Sequence, residues 1–170
     1  VEHVGYAKML KPKHNMLFHF GLIGLQSHIV STETLYLLEK NQFEVMRLGK
    51  TRQSIEEVEP MIRDADMVAF HLNAIRQADA PGQLTPSASG FYCEEACLVC
   101  RYAGMSDKLS SFGLYGLQSS RDLNGLTSNV AAQLVWYFID GVYHRKSDYP
   151  VSTLDMTEYI VDFREHDYQL

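Results

Sequence analysis

An α/β fold with a parallel sheet flanked by helices is what this chain predicts, on three observations. Apolar runs short enough for buried strands alternate with longer stretches of helical spacing, strand then helix, four times in succession. That order favours parallel strands joined by helical crossovers, with helices on the sheet faces. The third observation is the run Val68-Ala69-Phe70-His71-Leu72-Asn73, an apolar segment that breaks into a polar loop. In open α/β sheets, ligands sit beyond the carboxyl ends of such strands.

Residues 17–30 mix apolar with small or polar side chains and carry Gly21 and Gly24, which suits a strand entering a turn. Ser31 or Thr32 can N-cap the next helix, with Glu33 in its first turn and Leu35, Leu37 and Leu38 as its apolar face. A short strand follows over 43–48. Ile55, Val58 and Ile62, set against Glu56, Glu57 and Arg63, predict a helix over 51–64, with Pro60 placed to kink or end it. Residues 67–72 form the next strand. The segment 73–90 holds Pro81, Gly82, Pro86 and Gly90 and has no period, and a structureless connection of that length is usually functional or mobile. A helix over 91–103 is closed by Gly104, and a strand spans 109–117. The helix of 127–145 carries Val130, Leu134, Val135, Trp136, Phe138 and Val142, its aromatic residues spaced as core. Residues 1–150 make one domain; 151–170 form a carboxyl-terminal tail with one turn and a strand at 159–163.

At 170 residues, 46% apolar and 21% charged, the chain has the makeup of an ordinary globular protein able to bury a core. Its formal charge of −6, with Lys and Arg scattered, argues against the clustered basic face that nucleic acid requires. No apolar run approaches the roughly 18 residues of a membrane-spanning helix. Val1-Glu2-His3 does not open a signal peptide, so a cytoplasmic protein is expected, and residue 1, which is not Met, is not expected to be the translation start.

Several segments, in order and at plausible spacing over residues 17–145, resemble the ureohydrolases, the family of arginase, agmatinase and formimidoylglutamase. Gly21-Leu22-Ile23-Gly24-Leu25-Gln26-Ser27 is similar to the strand that ends in the family's Gly-Leu-Arg-Ser-type turn. His71-Leu72-Asn73, followed by Ala80-Pro81-Gly82 and Thr85-Pro86, resembles the Asp-x-Asp metal-ligand strand and its Ala-Pro-Gly-Thr-Gly-Thr-Pro loop. Leu114-Tyr115-Gly116-Leu117 resembles the strand bearing Val-Glu-Val-Asn-Pro, and Asp122 and Thr127 suit the Asp and Thr that follow it. The stretches around Ala74, Ala96 and Trp136 look most like the formimidoylglutamase-type branch.

The resemblance implies an arginase-like fold, of which this chain corresponds to the carboxyl-terminal half. It also implies hydrolysis of an amidino or guanidino carbon by hydroxide held between two Mn²⁺ ions. The family's first four ligands lie in Gly-Gly-x-His and Asp-Ala-His-x-Asp motifs, and this chain contains neither. The remaining two fall on His71 and Asn73, and the glutamate beside the substrate falls on Gly116. Neutral side chains replace carboxylates that would offset two cations. The expectation is therefore a degenerate family member, non-catalytic alone, with no cofactor of its own, acting as a scaffold or interaction subunit. Mn²⁺ would be expected only if the family site survives, as in an amidino hydrolase whose amino-terminal half is missing from this sequence. A half-sheet leaves an unpaired edge, so a homo-oligomer or a partner chain is expected to cover it.

Other constellations compete with these. Arg76, just past His71, could grip a substrate carboxylate, or pair with Asp79. Cys93, Cys97 and Cys100 have the C-x3-C-x2-C spacing of radical iron–sulfur enzymes, which makes a radical enzyme a further alternative. A continuous helix would spread these sulfurs over about 10 Å and make them core residues instead. His14, His19 and His28 surround the first strand, and a site built from His19, His28 and His71 would require neighbouring strands to bring them together.

Overall fold

A computed structural model of the chain describes residues 19–146, together with Leu154 and Thr157. His14, the strand expected at 159–163 and most of the tail lie outside the described residues. In chain order the elements are β1 (Gly21–Leu25), α1 (Thr32–Lys40), β2 (Glu44–Arg47), α2 (Leu48–Gln53), α3 (Val58–Arg63), β3 (Met67–His71), α4 (Cys93–Met105), β4 (Ser111–Tyr115) and α5 (Leu126–Tyr143). Short 3-10 turns occupy Ile55–Glu57, Leu72–Ala74 and Ser119–Arg121.

The first helix forms as its sequence dictates. Ser31 caps α1, its hydroxyl accepting the Thr34 N–H at 3.2 Å. The helix expected over 51–64 is broken instead: Ser54 leaves helical geometry at φ −147°, ψ 72°, and separates α2 from the turn and α3. Pro60 falls in the first turn of α3, where its missing N–H has no intrahelical partner to lose.

Parallel pairing is present, in two separate pairs. β1 lies beside β2 with Gly21 opposite Glu44 and Ile23 opposite Met46, and the register shifts between Ile23 and Leu25. β3 lies beside β4 with Met67 opposite Ser111 and His71 opposite Tyr115. Among the described residues these are two-stranded sheets, not one continuous sheet, so every strand is an edge.

One core joins most of this together. Val58, Leu72, Ile75, Ala96, Cys100, Ala103 and Leu134 are fully buried within it. A smaller cluster holds Leu25 and Leu38, with Phe20 meeting Phe43 edge to face at 5.6 Å. The tightest contact is between α4 and α5. Gly104, expected to end its helix, lies inside it and is buried, because a Cβ there would stand 2.1 Å from the Phe138 carbonyl oxygen and 2.9 Å from Gly141 Cα. Phe112 of β4 stacks on Phe138 at 4.3 Å.

Trp136 and Tyr143 of α5 correct a further expectation. Trp136 is 61% exposed and Tyr143 85% exposed, while the opposite face buries Val130 and Leu134. A helix apolar on both faces is expected to be covered on both, and among the described residues one face stays open.

Candidate functional site

The chemistry-bearing residues gather past the carboxyl end of β3. His71 is its last residue and is exposed; its Nδ1 accepts the Asn73 N–H at 3.1 Å and so caps the turn Leu72–Ala74. A neutral His71 then carries its proton on Nε2. On an extended chain His71 and Asn73, two apart, would face the same way, and the turn prevents it. Asn73 swings toward the loop, where its Nδ2 donates to Thr85 Oγ1 at 2.6 Å and its Oδ1 is buried without a partner.

Behind this turn lies Gln83, fully buried, which sequence reasoning missed. Its Nε2 donates to the carbonyls of Leu72 and Ile75, each at 2.9 Å, and so fixes the turn that carries Asn73. A glutamine in a polar, proline-rich loop gives no sequence signal of such burial. The loop itself is tied down throughout, not structureless. Ile75 bridges Phe91, Gln77 N–H donates to the Ser87 carbonyl at 2.7 Å, and Gln118 N–H donates to the Gly82 carbonyl at 2.8 Å.

Asp122 and Thr127 anchor the other side. The Asp122 carboxylate accepts the Ser128 hydroxyl at 2.6 Å and the N–H groups of Thr127 and Ser128, each at 2.9 Å, at the start of α5. The Ser128 hydroxyl first, and then these N–H groups, hold its pKa below the ordinary carboxylate value. Buried Thr127 in turn accepts the Gly82 N–H at 2.6 Å. Loop and helix are thereby locked.

Gly116 completes the site. It has a φ of +91°, and a Cβ built on it would lie 2.4 Å from His71 Cε1 and 2.8 Å from Nδ1. The imidazole fills the space that any side chain at position 116 would enter.

Arg76 points elsewhere. Its guanidinium holds Asp79 with both arms, Nε to Oδ2 and Nη2 to Oδ1, at 2.9 Å each, and lies over the Tyr92 ring at 4.1 Å. Arg52 lies over the same ring at 3.9 Å and pairs with Glu95 at 3.0 Å. These contacts fasten the start of α4 to the loop and to α2.

The remaining candidates do not converge. His19 lies before β1, 3.7 Å from Glu44, whereas His28 lies beyond its carboxyl end and His71 ends a strand of the other sheet. Cys97 and Cys100 are buried in the core, and Cys93 is half-buried at the start of α4. Burial pushes the Cys97 thiol up to about 12 and raises Cys93 and Cys100 as well, the reverse of what thiolate ligation of a cluster needs. Among the described residues no three His, Cys, Asp or Glu side chains gather where they could hold a metal ion.

These features define a class: parallel α/β domains whose polar residues collect past the carboxyl ends of the strands. The chain belongs to the arginase family, whose family model matches residues 6–140. It is 30% identical over 86 residues to a formimidoylglutamase of Staphylococcus haemolyticus, covering 49% of this chain and 28% of that protein. The formiminoglutamase of Trypanosoma cruzi solved with Mn²⁺ superimposes with a TM-score of 0.74 at 18% identity, covering 83% of this chain and 49% of that one. The formimidoylglutamase of Bacillus subtilis gives 0.67 at 17% identity, covering 74% and 42%. The chain thus spans about half the length of these solved relatives, and they show its fold.

A Mn²⁺ pair does not fit the donors at this site. Such a pair needs carboxylates that neutralise and bridge it. His71 and Asn73 are neutral, His71 Nδ1 is bonded within its own turn, and the orphaned oxygen beside it is an amide. No helix among the described residues is long and apolar enough to cross a membrane.

Proposed function

We propose that this chain is a degenerate arginase-family subunit, non-catalytic by itself, that acts as a cytoplasmic scaffold or interaction partner. The observation that carries the reading is the mutual fit of His71 and Gly116. One neutral ring stands where the family's ligand and substrate residues would supply two carboxylates, and it closes the space between them. The unpaired strand edges and the open face of α5 support a role in association with a second chain, either another copy or a different protein.

The test is an assay of the purified chain with added Mn²⁺ for formamide from formimidoylglutamate and urea from arginine, alongside metal analysis by inductively coupled plasma mass spectrometry. No product and no retained manganese are expected. Turnover by the chain alone overturns the reading. A second reading draws on the 30% identical stretch shared with a formimidoylglutamase: a Mn²⁺-dependent amidino hydrolase whose ligands come from another polypeptide segment. It predicts formamide release only when a chain carrying the missing ligand motifs is added.

A further inference from the structure

A cleft of about 420 Å³ opens beyond the carboxyl ends of the parallel strands β1 and β2. Gln26, Ser27 and His28, which follow β1, line it together with Arg47, which ends β2, Lys50, which follows, and Ser89 from the loop before α4. Parallel strands present their carboxyl ends on one side, where α/β folds hold ligands, and the volume is that of a small-molecule site. None of these residues belongs to the site of His71, Asn73 and Gly116.

The lining is basic in a chain whose formal charge is −6. Arg47, Lys50 and His28 face the cleft, and among the described residues no Asp or Glu lines it. Lys50 also meets Glu57 at 3.1 Å, an exposed pair of the kind that contributes little and is readily shared. Arg47 is exposed, and its guanidinium has no partner among the described residues. Gln26 is 7% exposed. Its Nε2 donates to the Ser89 carbonyl at 3.2 Å and so ties the two loops together, while its Oε1 is buried without a partner. An acceptor left over beside unneutralised cations suits a ligand that carries both an anion and a hydrogen-bond donor.

We propose that this cleft binds a small phosphate monoester bearing a neighbouring hydroxyl. Arg47 takes two phosphate oxygens, Lys50 and the His28 ring N–H take the remainder, and the hydroxyl supplies the donor that Gln26 Oε1 lacks. A phosphate offers three terminal oxygens in three directions, whereas a carboxylate offers two in one plane, so the phosphate suits donors arriving from two loops. The assignment holds whether or not the chain is catalytic, because it uses no residue of the site past β3.

Isothermal titration calorimetry of the full chain compares glycerol 3-phosphate, glycerate and inorganic phosphate. Glycerol 3-phosphate is expected to bind about tenfold more tightly than either of the others, the worth of one charge-assisted hydrogen bond. Arg47→Met is expected to weaken it by about tenfold or more. Lys40→Met, which removes an exposed cation outside the cleft, is expected to bind as the parent does. Gly49 also lines the cleft, and a Cβ built there meets nothing within 4 Å, so Gly49→Glu adds an anion without crowding and is expected to abolish binding. No heat with glycerol 3-phosphate at millimolar concentration overturns the proposal, as does glycerate or inorganic phosphate binding equally well. Equal weakening by Lys40→Met and Arg47→Met would mean diffuse charge attraction and overturns it too. The ligand comparison on the unsubstituted chain stands whether or not a variant folds, and circular dichroism checks each variant.

Discussion

His71 and Gly116 share one space, and the sharing is measurable. A methyl group at position 116 meets both a φ of +91° and the imidazole ring at 2.4 Å. Gly116→Ala should therefore destabilise the fold by about 2–4 kcal/mol, the backbone conformation accounting for about 1–2 of it. In a His71→Ala background the steric part disappears, so the same substitution should cost only the smaller amount. Urea melts of the four proteins give the coupling, expected at about 1 kcal/mol or more. Equal penalties in both backgrounds would mean that exposed His71 simply rotates away and that the ring does not close the site. The positions themselves were legible from the amino acids, because an apolar run giving way to Ala80-Pro81-Gly82 marks a strand end and its loop. Their mutual orientation was not. It depends on Nδ1 of His71 capping a 3-10 turn and on Gln83, from the loop that follows, holding that turn from beneath. Period-two reasoning describes an extended chain, and the chain stops being extended at Leu72.

The lock between the loop and α5 depends on one ionised side chain. Asp122 accepts three hydrogen bonds that favour its charged form, led by the Ser128 hydroxyl, and its folded pKa is lowered from the ordinary 3.8. A carboxylate lowered on folding contributes stability above its unfolded pKa and loses it as pH falls through the folded one. The melting temperature should therefore fall with acid below about pH 5, and Asp122→Asn should flatten part of that fall. The gap between the two proteins should be widest at pH 7 and should narrow toward pH 3. A gap that stays constant with pH would assign Asp122 a merely steric role. Lys108 lowers Asp64 in the same range, which is why the comparison is with the variant and not with the pH profile alone. Here too the sequence was readable up to a point. Ser31 announced α1 and the apolar spacing announced α4 and α5, but nothing local foretold the break at Ser54, where neither Pro nor Gly stands. Gly104 read as a helix end because glycine usually is one; its place is set by Gly141 on another helix, a contact no local pattern carries.

A ligand that binds only the folded state raises its stability with the logarithm of its concentration relative to the dissociation constant, by about 2.7 kcal/mol at a hundred times that constant. This turns the question of the ancestral metal into a melting experiment on the whole chain. An intact site of the kind expected from the resemblance would shift the midpoint by several degrees in millimolar Mn²⁺, with EDTA reversing the shift. The donors present predict no shift, because neither His71 nor Asn73 brings a carboxylate, His71 Nδ1 is spent on its own turn, and the unpartnered Oδ1 of Asn73 is an amide oxygen. Substituting His71→Asp and Asn73→Asp together separates two causes of that silence. If the missing carboxylates alone were at fault, the doubly substituted chain would gain a Mn²⁺-dependent shift. The expected result is again none, since the family's other ligand motifs are absent from this sequence and two carboxylates at one strand end cannot enclose a pair of cations. A shift in the unsubstituted chain would overturn the non-catalytic reading. A shift confined to the double variant would show that the strand end still presents its ligands in the family's geometry, and that the loss of the metal site here comes from residue identity more than from fold.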